Sequence, residues 1–252
     1  MIKNFLLLLI IPVFIAGCAN TRKITYLNDL EKINGTDSVQ KWQPLLIQPG
    51  DVLQVTVTTI DKDISTLLNP ATPATSSLAA GSTEPGYQVG IDGYINLPVG
   101  GRVQVKDHTL PEIDRIITQA LEKEIRNVYV ATRLANFKVS VLGDVAHPGS
   151  FKVSSDRVSI LDALSMAGDM NVTAVRNDVM VIRETNRVKN YASLNLNDSK
   201  IFSSPYYYLN NNDVIYVKPG KDKKFASSKT IQLLPAILGV LSFITTLIIV
   251  TK

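Results

Sequence analysis

Very few side chains here could act as nucleophiles or hold a metal, and their positions limit the chemistry further. One cysteine, Cys18, and two histidines, His108 and His147, occur among 252 residues. A single cysteine excludes an internal disulfide framework, a cysteine-rich zinc site and a CxxC redox pair. Cys18 directly follows Ala16-Gly17, two small residues that close an apolar run. The chemistry that suits such a thiol is alkylation by a lipid. Its sulfur would then form a thioether and serve as neither redox group nor ligand. His108 precedes a helix cap and His147 sits beside Pro148-Gly149. Both are turn contexts, where an imidazole is usually just solvated. The acidic residues show no placement that reads as a glycosidase pair. No GxxxxGK[ST] loop and no helix-opening GxGxxG occurs, so nucleotide binding has no support. Pro205-Tyr206-Tyr207-Tyr208 is the most ligand-like cluster. Its rings could stack on sugars, and equally pack a strand or a subunit contact.

The segments that must place these residues begin at the two ends. Residues 1–17 read as a secretory signal: Lys3 supplies a positive start, and residues 5–14 form an apolar stretch interrupted by Pro12. That stretch suits a signal core and is short for a bilayer span. Ile15-Ala16-Gly17-Cys18 resembles a bacterial lipobox, which implies a diacylglycerol and an N-acyl chain on Cys18 and no other cofactor. Ala19 follows the cysteine where an inner-membrane retention signal would have Asp, so by analogy the expected home is the outer membrane. At the far end, residues 231–250 carry no charge. Twenty helical residues at ~1.5 Å each match a hydrocarbon core of ~30 Å, so a transmembrane helix is expected there. Gln232, Ala236, Gly239, Ser242 and Thr246 recur at spacings of three and four and share one helical face. Such a face serves close helix packing or lines a pore built from several copies.

Composition bounds the rest. With 45% hydrophobic and 19% charged residues the chain can bury one medium or two small cores, and it is not disordered. A net charge of +4, with no dense basic stripe, gives nucleic acid little support.

Between the ends, residues 18–42 read as a polar tether. Residues 52–60 alternate Leu53, Val55 and Val57 against Gln54, Thr56 and Thr58, a half-buried strand. Residues 65–86 are dominated by Ser, Thr, Pro, Gly and Ala and read as a flexible loop. Asp92-Gly93 inside residues 87–97 signals a tight hairpin. Thr109-Leu110-Pro111-Glu112 is a capping box opening a helix whose apolar stripe runs to about residue 124. Strands are expected at 128–134, 138–142, 150–153, 178–183, 188–194 and 213–217, with a short helix over 159–167 ended by Gly168. The fold class is α+β, with a second small unit starting near Phe137. Asp51-Val52-Leu53-x-Val55 echoes Asp213-Val214-Ile215-x-Val217, an Asp at a strand entry placed to hold turn amides.

Together these residues suggest a family. Pro49-Gly50-Asp51 followed by Leu53 and Val55, then Asp92-Gly93-x-Ile95-x-Leu97-Pro98 and Gly101-x-Val103, resemble the polysaccharide-export domain. Val141-x-Gly143-Asp144-Val145, Pro148-Gly149-x-Phe151, Ile160-x-x-Ala163-Leu164, Ala167-Gly168 and Asp213-Val214-Ile215-x-Val217 resemble an SLBB domain, a β-grasp. The whole is similar to Wza-like outer-membrane lipoproteins. The resemblance implies a signal peptide at 1–17, a tether at 18–42, the export domain at 43–135, the SLBB-like β-grasp at 136–220, a basic linker at 221–230 and a transmembrane helix at 231–250. It further implies a homo-oligomeric, lipid-anchored ring with a periplasmic body, exporting capsular or exopolysaccharide. An inner-membrane copolymerase would be its partner, and it would have no enzymatic activity. A membrane-tethered scaffold that conducts nothing remains the alternative, and a periplasmic lyase or hydrolase a third.

Overall fold

The computed structural model describes residues 25–29, 39–60, 62–69, 86–185, 188–221 and 223, with scattered positions between 233 and 246. The signal region 1–17 and Cys18 lie outside the described residues. In chain order the elements are β1 (Val52–Thr58), α1 (Lys62–Leu68), β2 (Tyr87–Gln88), β3 (Tyr94–Leu97), β4 (Gly101–Gln104), α2 (Leu110–Leu121) and β5 (Tyr129–Leu134). There follow β6 (Lys138–Gly143), β7 (Gly149–Lys152), α3 (Ile160–Met166), β8 (Ala174–Thr185), β9 (Val188–Leu194), a 3-10 turn (Ser199–Ser203) and β10 (Val214–Pro219). The fold class is α+β, as expected.

The first half gathers around β1. Its Leu53, Val55 and Val57 point inward and its Gln54, Thr56 and Thr58 point out, because successive strand side chains alternate faces. β1 pairs antiparallel with β2 on one side and β5 on the other. α2 lays Ile113, Ile117 and Leu121 onto this sheet. Glu112 closes its first turn, accepting from the backbone N of Thr109 at 2.8 Å and from its hydroxyl at 2.9 Å.

Two expectations in this half need correction. Asp92-Gly93 does make the tight turn: Gly93 has φ +84. Yet the strands flanking the turn belong to different sheets. β2 pairs with β1, whereas β3 pairs with β4, Tyr94 opposite Gln104 through Leu97 opposite Gly101. The ladder went to whichever partner buried Val89 and Ile95 together in one core. The expected loop 65–86 also begins with helix. α1 extends to Leu68, and the next residue, Asn69, acts as a strand substitute. Its amide nitrogen donates to Val57 O at 2.7 Å and its carbonyl accepts from Val57 N at 2.8 Å. Two helical turns are too short to show a period in the sequence.

The second half is a mixed five-stranded sheet in the order β7-β6-β10-β8-β9. β6 and β10 run parallel at its centre and every other pair is antiparallel. Val139, Val141, Val179, Val181, Ile215 and Val217 form the inward face, on which α3 places Ile160, Ala163 and Leu164. Ser159 caps α3 by accepting from Asp162 N at 3.2 Å. Gly168 ends it with φ +73, the left-handed residue that helix ends favour. Gly143 is required outright. Its φ is +100, and a Cβ there would lie 2.0 Å from Val217 O on the neighbouring strand.

Among the described residues no helix is long and apolar enough to cross a membrane. The expected span 231–250 lies largely outside them.

Candidate functional site

The two halves meet at the Pro49-Gly50-Asp51 turn. Asp51 is 7% exposed. One carboxylate oxygen accepts from Gln48 N at 2.9 Å, and the other accepts from the Asn211 amide of the second half at 2.9 Å. Asn136, at the crossover between the halves, donates to Gly50 O at 3.2 Å and accepts from Val52 N at 2.9 Å. Burial pushes the Asp51 carboxyl up, and the donors from Gln48 and Asn211 offset part of that rise.

The echo in the sequence is a shared geometry. Asp213 accepts from the backbone N of Asn210, three residues earlier, at 2.7 Å. Asp51 does the same with Gln48. In both turns the residue before the Asp has positive φ, Gly50 at +93 and Asn212 at +65. Each Asp therefore holds the entry to a buried strand. Asp213 is 1% exposed and also receives Arg183 Nε at 3.0 Å and Nη2 at 2.7 Å. Burial raises its carboxyl, and the Arg183 guanidinium pulls the other way.

The tyrosine run takes up internal roles. Arg183 lies over the Tyr206 ring, 4.9 Å from its centroid, and also donates to Tyr208 O at 2.9 Å. Tyr207 meets Phe202 and Tyr208 edge-to-face at 5.4 and 4.9 Å. All three tyrosines are half-buried. His108 Nδ1 lies 2.8 Å from Lys106 O, and His147 sits where a Cβ on Gly168 would meet its ring. Among the described residues no cluster of His, Cys, Asp and Glu could hold a metal.

Residues 25–29, part of the expected tether, lie against the second half. Leu27 N donates to Leu196 O at 3.0 Å, and Asp29 accepts from Ser199 N at 2.9 Å and from its hydroxyl at 2.6 Å. The Tyr26 hydroxyl donates to Asp169, and its ring lies 5.4 Å from the Arg176 guanidinium. Burial, then the Asp169 carboxylate, push the Tyr26 hydroxyl far above its ordinary value. At the other end, Lys223 reaches Asp144 at 2.5 Å. Asp144 also receives the Asn171 amide at 2.8 Å and the Thr173 hydroxyl at 2.6 Å. Burial pushes this carboxyl up. The Lys223, Thr173 and Asn171 donors outweigh that and hold it below the usual carboxylate range. Of the expected stripe, Ala236, Gly239, Ser242 and Thr246 are helical and exposed, while Gln232 lies outside the described residues.

A cleft of about 160 Å³ lies between the halves. Trp42 and Leu45 of the incoming segment, Asp114 of α2, Thr132 of β5, Phe137 and Ser155 contribute to its walls. Nothing in the sequence singled it out, because its walls come from four separate stretches.

Residues 39–135 match the family described as polysaccharide biosynthesis/export protein, and residues 137–217 match the SLBB domain. The chain belongs to the Wza-like polysaccharide-export family. It is similar to the "EPS I polysaccharide export outer membrane protein EpsA" of Ralstonia solanacearum, 25% identical over 205 residues, or 77% of this chain and 53% of that protein. The protein of the same name from Ralstonia nicotianae (strain ATCC BAA-1114 / GMI1000) is 26% identical over 139 residues, or 53% of this chain and 36% of that one. The chain thus spans about half the length, or less, of these relatives.

Proposed function

We propose that this chain is a subunit of an oligomeric outer-membrane channel that exports capsular or exopolysaccharide from the periplasm to the cell surface. The observation that carries the reading is the order of the two matched domains, export then SLBB, over residues 39–217. The second half is read as a β-grasp, its mixed sheet holding α3 on one face. The other face supports self-association. Across it the register places Tyr216 between Leu142 and Met180, and Ile182 between Val214 and Tyr191. Leu142, Tyr216 and Tyr191 are exposed, an apolar row that a second copy would cover. Cys18 carries the lipid anchor, and the stretch 231–250 enters the membrane. Gln232, Ala236, Gly239, Ser242 and Thr246 pack the helices or line their pore. An inner-membrane copolymerase delivers polymer from below. No enzymatic step belongs to this reading.

Membrane fractionation, mild detergent extraction and negative-stain imaging test it. Rings from the outer-membrane fraction are expected, together with loss of surface polymer when the chain is deleted. Monomers or dimers confined to the inner membrane would overturn the channel and leave the tethered scaffold, which the uncharged stretch 231–250 also suits.

A further inference from the structure

We propose that the cleft between the two halves is a binding site for one sugar ring of the transported polymer, with Trp42 as its stacking face and Asp114 and Thr132 as its hydroxyl partners. This inference rests on the export reading for the identity of the polymer, and on the cleft itself for everything else.

Two buried oxygens carry the argument. Asp114 Oδ1 and Thr132 Oγ1 are both buried and have no hydrogen-bond partner among the described residues. Thr132 is only 6% exposed. A buried polar atom left unpaired forfeits its hydration without compensation, so such atoms persist where something else pairs them. Both residues contribute to the same cleft. A carboxylate oxygen can only accept, whereas a threonine hydroxyl both donates and accepts. Together they match a ligand edge rich in O–H groups.

The rest of the wall fits the same ligand. Trp42, the chain's one tryptophan, is half-buried at the cleft. A sugar ring has an apolar C–H face that stacks on an indole and a polar rim that needs acceptors and donors. The volume of about 160 Å³ is well under the ~300 Å³ at which drug-sized pockets begin, so it suits a single ring.

One side of the cleft is a segment hydrogen-bonded at its two ends. Residues 41–46, which include Trp42, belong to no strand or helix. They are clamped at their ends by Gln40 N to Phe202 O at 2.6 Å and Ile47 N to His108 O at 3.0 Å. This segment can lift to admit a ring, and bring the two oxygens within reach, without breaking a strand ladder. Because the walls come from both halves, a bound ring would also brace the joint at Asp51.

The single tryptophan makes the test direct. The full chain, purified in detergent, is titrated with maltose, cellobiose, lactose and N,N′-diacetylchitobiose while tryptophan emission is followed. A saturable change is expected with at least one sugar, its Kd rising at least tenfold in Asp114→Ala and in Thr132→Val. Thr132→Val removes an unpaired oxygen at nearly constant shape, so its melting temperature should stay level or rise while binding weakens. A purely structural threonine would not produce that split. Emission that never saturates with any of the four sugars overturns the proposal, as does unchanged affinity in both variants. Surface polymer is measured in cells carrying the deletion, the wild-type chain or Thr132→Val. If deletion abolishes surface polymer while the titration is flat and Thr132→Val exports normally, the cleft proposal fails and export stands. If deletion leaves surface polymer unchanged, the export reading fails, and the identification of the ligand as transported polymer falls with it.

Discussion

Two buried aspartates with different partners show how much one residue type depends on context. Asp213 is gripped by Arg183, whose side chain is itself largely buried, at 16% exposure. Removing one member of such a pair strands the other charge, so Asp213→Ala should cost about 3–5 kcal/mol in urea unfolding. Arg183→Met with Asp213→Leu should recover much of that loss, because the desolvated pair is replaced by apolar volume. Among the described residues Asp51 meets no cation, only amides. Asn211→Ala removes the amide that comes from the other half and should cost about 1–3 kcal/mol. A urea midpoint that does not move in Asn211→Ala would show that water replaces the bond freely.

Elements in this chain are fixed at their ends more than along their lengths. α3 has only seven residues, too short to be stable by propensity alone. Its reciprocal cap holds it: Ser159 accepts from Asp162 N, and the Asp162 carboxylate accepts from Ser159 N at 2.9 Å and from the hydroxyl at 2.7 Å. Ser159→Ala should cost about 1 kcal/mol, read as a lower melting temperature. Gly143→Ala should be far worse, about 3 kcal/mol or more. It adds a left-handed alanine and drives a methyl into Val217 O at the one parallel pairing of the sheet. Loss of a cooperative melt is the expected readout, and a melting temperature within a few degrees of wild type would refute the close packing of β6 on β10.

For the whole molecule, the segments leading to both ends of the chain are tied to the second half. Tyr26 and Asp29 dock the incoming segment, and Lys223 docks the outgoing one on Asp144. A force on either of these segments would therefore reach the same domain. Acid should loosen the outgoing tie. The folded chain holds the Asp144 carboxyl below its ordinary value, so the unfolded chain takes up that proton more readily. The contribution is complete above the ordinary carboxylate value and is lost as pH falls through the lowered one. Melting temperature followed from neutral pH into the acid range should fall there, and part of that fall should vanish in Asp144→Asn. An identical acid limb in wild type and Asp144→Asn would assign the effect to other carboxylates.

Most strands and the two helices after residue 100, the Thr109 capping box, the Gly168 stop and the repeated Asp entry were legible in the sequence, because each depends on residues within about four positions of one another, whereas the Lys62–Leu68 helix and the Ser159 cap were not. So was the family, whose motifs are the same short turns and strand entries. The pairing of β2 with β1 and of β3 with β4 was not legible, since the same alternating pattern satisfies either ladder until a common core chooses. The junction of Asp51 with Asn211 joins residues 160 positions apart. The cleft needs Trp42, Asp114, Thr132 and Ser155 from separate stretches. Local chemistry set the elements. Only the burial of two apolar cores against each other decided which distant polar groups would meet, and which would lie unpaired beside the cleft.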